Sequence, residues 1–130
     1  MTEFRSVTGD FAVSPQIAPA DVAAAAAEGF TTIINNRPDG EAADQPSSET
    51  IEAAALAAGL RYAHIPVVGR PTPGQIETMR LAMGGRGGGT LAFCRSGARS
   101  IATWALGARL DRSEILRLAA AAGYDLSTLL

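Results

Sequence analysis

Short β-branched or apolar runs alternate along the chain with longer alanine-rich segments that carry apolar residues on one side. "DFAVSPQI" (10–17) reads as a first strand. "APADVAAAAAEGF" follows, with Pro19 at an early helical position, Asp21 in the first turn and Gly29 as a stop. Val22, Ala25 and Ala26 give this helix an apolar face. "TTIIN" (31–35) is β-branched and predicts a buried strand, and "NRPDGEAADQ" is a polar loop with a Pro-Asp-Gly turn signal. "SSETIEAAALAAGL" predicts a second helix with Ser47 or Ser48 as its cap. Ile51, Ala54, Ala55 and Ala58 share one face of it, and Gly59 ends it.

The alternation continues. "RYAHIPVV" (61–68) predicts a strand, "GRPTPG" a loop, "GQIETMRLAMG" a helix and "GGRGGG" (84–89) a flexible connector. "TLAFC" is the next strand. "ARSIATWALGARL" then predicts a helix with Ile101, Trp104, Ala105 and Ala108 inward. A last helix, "DRSEILRLAAAAG", has Asp111 and Glu114 spaced as a capping box. Strands alternating with helices imply right-handed crossovers. The expected fold is therefore α/β, a single domain over 1–130. Its sheet is mostly parallel and four- to five-stranded, with helices on both faces.

Composition narrows the function. At 130 residues, 47% hydrophobic and 18% charged, the chain reads as a globular domain with a proper core. A net charge of −2 gives no basic surface, so neither nucleic acid nor a membrane is an expected partner. All eleven basic residues are Arg, so any cationic group in a site is a planar, permanently charged fork. The one cysteine fits a reducing cytoplasm, and "MTEFRSVTGD" has no apolar core of signal-peptide length. The oligomeric state is not legible.

In a parallel sheet, ligands sit at the carboxyl ends of the strands. Cys94 ends the "TLAFC" strand just before a helix. Gly97 permits a tight backbone path, so the N–H groups of Arg95, Ser96, Gly97 and Ala98 can turn inward as an anion nest. The helix starting near Ala98 adds its positive end. Arg99 can fold back to clamp an anion, and Arg95 adds positive potential at the rim. Each of these favours thiolate over thiol. The other reading is a small buried cysteine at a strand end.

"GFTTIINNRPDGE", "PSSETIEAAALAAGLRYAHIPV" and "LAFCRSGARS" resemble the phosphatase-like domain of beta-lactamase-hydrolase-like proteins, a bacterial family, along nearly the whole chain. Its fold is similar to that of dual-specificity and tyrosine phosphatases. The resemblance implies that Cys94 is the nucleophile, that the backbone of 95–99 cradles the substrate anion and that Arg99 binds it. It also implies that Arg37 and Asp39 approach the same strand ends.

Three departures bear on the chemistry. Tyrosine-phosphatase loops place five residues between Cys and Arg. Here there are four, and Ser100 stands where their Arg falls. Phe93 replaces the usual His. The loop after "IPV", where dual-specificity phosphatases carry a general-acid Asp, has none; Glu77 is the nearest carboxyl, on a helix that can turn it away. The short Cys-x-x-Gly-x-Arg loop resembles that of rhodaneses, whose cysteine carries a sulfane sulfur. A shorter ring of N–H groups encloses less volume and suits one sulfur better than a tetrahedral phosphate.

Three readings follow. The leading one is a phosphatase-like hydrolase in which Cys94 attacks a phosphomonoester. Close behind is a sulfurtransferase working through a Cys94 persulfide. The third is a non-catalytic anion- or thiol-sensing module. The expected partner is a small anionic substrate, either a phosphate ester or a persulfide or thiosulfate. No cofactor is expected, and no His/Cys/Asp cluster has metal spacing.

Asp39 has three open roles: a substitute general acid, a bidentate partner for Arg99 or Arg37, or turn chemistry in "RPDG". His64, the only histidine, reads as a hydrogen-bonded packing residue ahead of a proton shuttle. Arg70 reads as a solvated loop charge, and Trp104 as core.

Overall fold

The computed structural model describes residues 2–84 and 87–130. Gly85 and Arg86, from the predicted flexible connector, lie outside the described residues. The described residues form five strands: β1 (Arg5–Thr8), β2 (Phe11–Ser14), β3 (Phe30–Asn35), β4 (Arg61–His64) and β5 (Gly89–Phe93). They also form five helices: α1 (Pro19–Ala27), α2 (Ser48–Ala57), α3 (Pro73–Met83), α4 (Ala98–Gly107) and α5 (Arg112–Ala121). The strand order is β1-β2-β5-β3-β4. β2, β5, β3 and β4 are parallel, and β1 closes one edge antiparallel to β2.

Alternation along the strands builds a core on each face of the sheet. Ala12, Ile33, Leu91 and Phe93 turn to one side, where Val22 and Ala25 of α1 and Ile51 and Ala55 of α2 cover them. Phe11, Val13, Ile34 and Ala92 turn to the other, under Met79 of α3, Ile101, Trp104 and Ala105 of α4 and Ile115 and Ala119 of α5. The β3 and β5 side chains facing α1 and α2 are fully buried. Each large one contributes about 1.5–3 kcal/mol. With both faces covered, the central strands read as continuous apolar runs.

Several expectations shift. β1 lies in a segment that carries no clear strand pattern. It is a short edge strand, and only Val7 of its four residues is buried. The strand predicted over 61–68 stops at His64, although Ile65 and Val67 still donate to the Asn35 and Asn36 carbonyls. Asp111 makes no side-chain hydrogen bond to cap α5, and Glu114, the other half of the expected capping box, pairs with Arg117 instead of reaching back. Ser47 rather than Ser48 caps α2, accepting from Thr50 N at 3.1 Å. Ala108 caps the end of α4 and is only partly buried.

Register sets the site. Ser14 pairs with Phe93, Phe93 with Asn35, and Asn35 with His64. Four strands therefore end level, and the loops that follow them open on the same edge.

Candidate active site

Cys94 is the first residue beyond β5, and its side chain is fully buried. The chain must turn there from a strand into α4, whose N-cap is Gly97 at φ +93°. That left-handed backbone suits glycine. It turns the Gly97 N–H onto Cys94 Sγ at 3.1 Å. Ala98 N donates to Ser96 Oγ at 3.3 Å. Arg95 and Ser96 are exposed at the rim. Ser100, in the first turn of α4, is buried, and its Oγ has no hydrogen-bond partner among the described residues.

Arg99 reaches across the strand ends. Its Nη1 donates to Glu41 Oε2 at 2.8 Å and to the Val67 carbonyl at 2.9 Å; its Nη2 donates to Glu41 Oε1 at 2.8 Å. Glu41 Oε1 also accepts from Arg37 Nε at 3.0 Å, and Arg37 Nη1 donates to Gln16 Oε1 at 3.1 Å. The loops after β2, β3, β4 and β5 are thus joined by one chain of contacts: Gln16, Arg37, Glu41, Arg99 and Val67. Two guanidiniums against one carboxylate leave this chain net positive.

The charges reinforce one another. Hydrogen bonding to Arg99, and then to Arg37, outweighs burial and lowers the Glu41 carboxyl to about 2. Glu41, first, and the nearby Cys94 push Arg99 above its usual value. Glu41 is therefore ionised across the neutral range and has no proton to give. Arg99 stays a cation beside the sulfur.

The structure brings Cys94, Arg99 and Arg37 to one edge, as the resemblance implies. Asp39 behaves differently from one expectation. It pairs with neither Arg99 nor Arg37, because its Oδ1 accepts from Ser48 N at 2.8 Å, at the start of α2. The carboxylate that holds both guanidiniums is Glu41, which sequence reasoning did not single out. Its spacing from Arg37 was visible, but its bond to Arg99 spans 58 positions and leaves no local signal. Gln16 was missed for the same reason.

His64 bonds the Arg37 carbonyl through Nε2 at 2.9 Å, which fits a packing role. Glu77 is turned away and paired with Arg80 on α3. Among the described residues no group of three or more His, Cys, Asp or Glu is placed to hold a metal. Among them, too, no helix is long and apolar enough to cross a membrane.

Comparison with known proteins shows the family and the fold. The family profile described as beta-lactamase hydrolase-like protein, phosphatase-like domain, matches residues 3–111. A beta-lactamase hydrolase-like protein of Xylella fastidiosa is 39% identical over 106 residues, 78% of this chain and 25% of the relative. The chain therefore spans about a quarter of the length of the curated relatives it matches. The crystal structure of a candidate phosphatase from Neisseria meningitidis is 34% identical, with a TM-score of 0.81 over 95% of this chain and 91% of that one. The structure of Tk-PTP in its active form superposes with a TM-score of 0.71 at 19% identity, over 91% of this chain and 83% of that one. The last shows the fold alone.

Proposed function

Because this chain belongs to the phosphatase-like domain family of beta-lactamase hydrolase-like proteins, we propose that it is a cysteine-dependent, phosphatase-like hydrolase with Cys94 as nucleophile. The observation that carries the reading is the Gly97 N–H on Cys94 Sγ, at the mouth of α4 and beside Arg99. A backbone donor, a helix N-terminus and a fixed cation all favour an anionic sulfur and an anionic substrate next to it.

In this reading the Cys94 thiolate attacks phosphorus in a phosphomonoester. An S–P bond forms, the P–O bond to the alcohol breaks, and the leaving alkoxide takes a proton from water. Water then attacks the phosphocysteine, which releases phosphate and restores the thiolate. Arg99 holds two phosphoryl oxygens once it exchanges Glu41 for them, and the buried Ser100 hydroxyl is a donor in the first turn of the same helix. Cys94 has no exposed surface, so in this reading the groups around the sulfur must move before substrate reaches it.

A second reading, sulfur transfer, is favoured by one specific observation: among the described residues no carboxylic acid at the site is placed to protonate a leaving alkoxide. Glu41 is ionised, Asp39 is turned to Ser48, and Glu77 is exposed with Arg80. Sulfite leaves thiosulfate as an anion and needs no such proton. Cys94 would attack the sulfane sulfur, break the S–S bond, release sulfite and keep a persulfide. An acceptor thiolate would then take that sulfur. The short loop suits this chemistry as well.

One experiment tests both. The protein is incubated with p-nitrophenyl phosphate and, separately, with thiosulfate, and turnover is followed alongside the mass of the intact chain. Phosphate release without added mass supports hydrolysis. One sulfur gained on Cys94, with cyanide-dependent thiocyanate formation, supports transfer. Cys94→Ser is expected to abolish either activity; a variant that turns over both substrates like the parent removes Cys94 from the mechanism.

A further inference from the structure

We propose that Tyr124 is a positioning residue for Cys94, acting through the Ser96–Gly97 peptide plane. It lies beyond residues 3–111, the part matched by the family profile. The Tyr124 hydroxyl donates to the Ser96 carbonyl at 2.7 Å. The next group in the same peptide unit is the Gly97 N–H, which donates to Cys94 Sγ at 3.1 Å. A trans peptide is planar, and its C=O and N–H point in opposite directions. The described residues contain no cis peptide. Fixing the carbonyl outward on Tyr124 therefore aims the N–H inward at the sulfur. Rotation of this one plane would remove both contacts together.

Three further observations support the clamp. The phenol sits so close to the loop that a Cβ on Gly97 would clash with the Tyr124 oxygen. Arg5 of β1 lies over the Tyr124 ring, 5.4 Å from its centroid, and its Nη1 donates to the Ala122 carbonyl at 3.5 Å. Burial raises the phenol above its usual value, Arg5 opposes the rise, and Cys94 adds to it. Tyr124 is thus a neutral O–H donor throughout the working range. The edge strand β1 and the segment after α5 hold the nucleophile's loop from behind, whichever substrate Cys94 takes.

The inference rests on Cys94 being the nucleophile, but its test reads the thiol and not turnover. Alkylation by iodoacetamide is measured at about pH 6.5 and at about pH 10, below and above the ordinary thiol range. Tyr124→Phe keeps the ring and removes the hydroxyl. The expected result is a two- to tenfold fall, roughly, in the ratio of the low-pH to the high-pH rate, the size of one hydrogen bond. The high-pH rate and the melting temperature should stay close to those of the parent. Arg5→Gln, which frees the ring, should lower the same ratio by less. An unchanged ratio in Tyr124→Phe overturns the proposal, and so does an equal change at both pH values, which would report access alone. If Cys94→Ser retains turnover while Tyr124→Phe still lowers the ratio, the nucleophile reading fails and the peptide-plane clamp stands.

Discussion

Glu41 and Arg99, 58 positions apart, meet in a two-toothed ion pair with both contacts at 2.8 Å. The pair ties the loop after β3 to the first turn of α4. It also occupies the guanidinium fork that an oxyanion substrate would use. The pair is partly exposed, at 22% for Arg99 and 29% for Glu41, so its contribution is screened by solvent.

The pH dependence of stability follows from this pair. The folded Glu41 carboxyl lies near 2, against an ordinary 4.5. Its folded value is depressed, so its stabilisation is fully present above about 4.5 and is lost as pH falls towards 2. Urea unfolding between pH 6 and pH 2 should show the parent losing on the order of 1 kcal/mol more than Glu41→Gln, after screening is allowed for. Parallel curves for the two proteins would mean that the ion pair does not hold in solution.

Glu41→Gln also separates two roles of Arg99. Without the carboxylate, the fork is freer to take an external anion. Inorganic phosphate or thiosulfate should then protect Cys94 from alkylation at about threefold lower concentration than in the parent, the size of one exposed charge interaction. Weaker protection would show that Glu41 serves the anion site by orienting Arg99, and not by competing for it.

Gly97→Ala faces both a left-handed backbone and the Tyr124 hydroxyl. We expect a loss of about 2–3 kcal/mol in stability and slower Cys94 alkylation near neutral pH. Adding Tyr124→Phe removes the nearest clashing atom. The double variant should therefore be destabilised by less than the sum of the singles; strict additivity in a thermal-unfolding cycle would contradict the close approach.

Asp39→Asn distinguishes a loop tie from a proton donor. An amide oxygen still accepts from Ser48 N, so turnover should stay within about threefold of the parent. A loss of about a hundredfold or more would make the carboxyl a general acid after all.

Trp104→Ala tests the core beneath α4. The indole stacks on Phe11 with ring centroids 5.5 Å apart and planes 15° from parallel. Removing it should lower stability by about 3–5 kcal/mol in a urea titration, since the space cannot fully collapse.

Local patterns carry the order of elements, the buried character of β3 and β5, and the strand–turn–helix around Cys94. Each depends on neighbours within a few residues: β-branching, the period of apolar positions, and Gly97 at the turn. Pro19 and Ser47 also announce their helices locally. β1 escaped because a short edge strand needs little apolar patterning. Asp111 misled because the same spacing that offers a capping box also lets Glu114 choose Arg117.

The sequence by itself determined that a lone sulfur would stand at the carboxyl end of a parallel strand, before a helix and near arginines. The tertiary structure alone decided what those arginines touch and what holds the loop. Glu41 reaches Arg99, and Tyr124 reaches Ser96, across 28 to 58 positions. No periodicity encodes such distances. Strand order and register bring these groups within hydrogen-bond reach, and a contact of that kind exists only once the sheet has assembled.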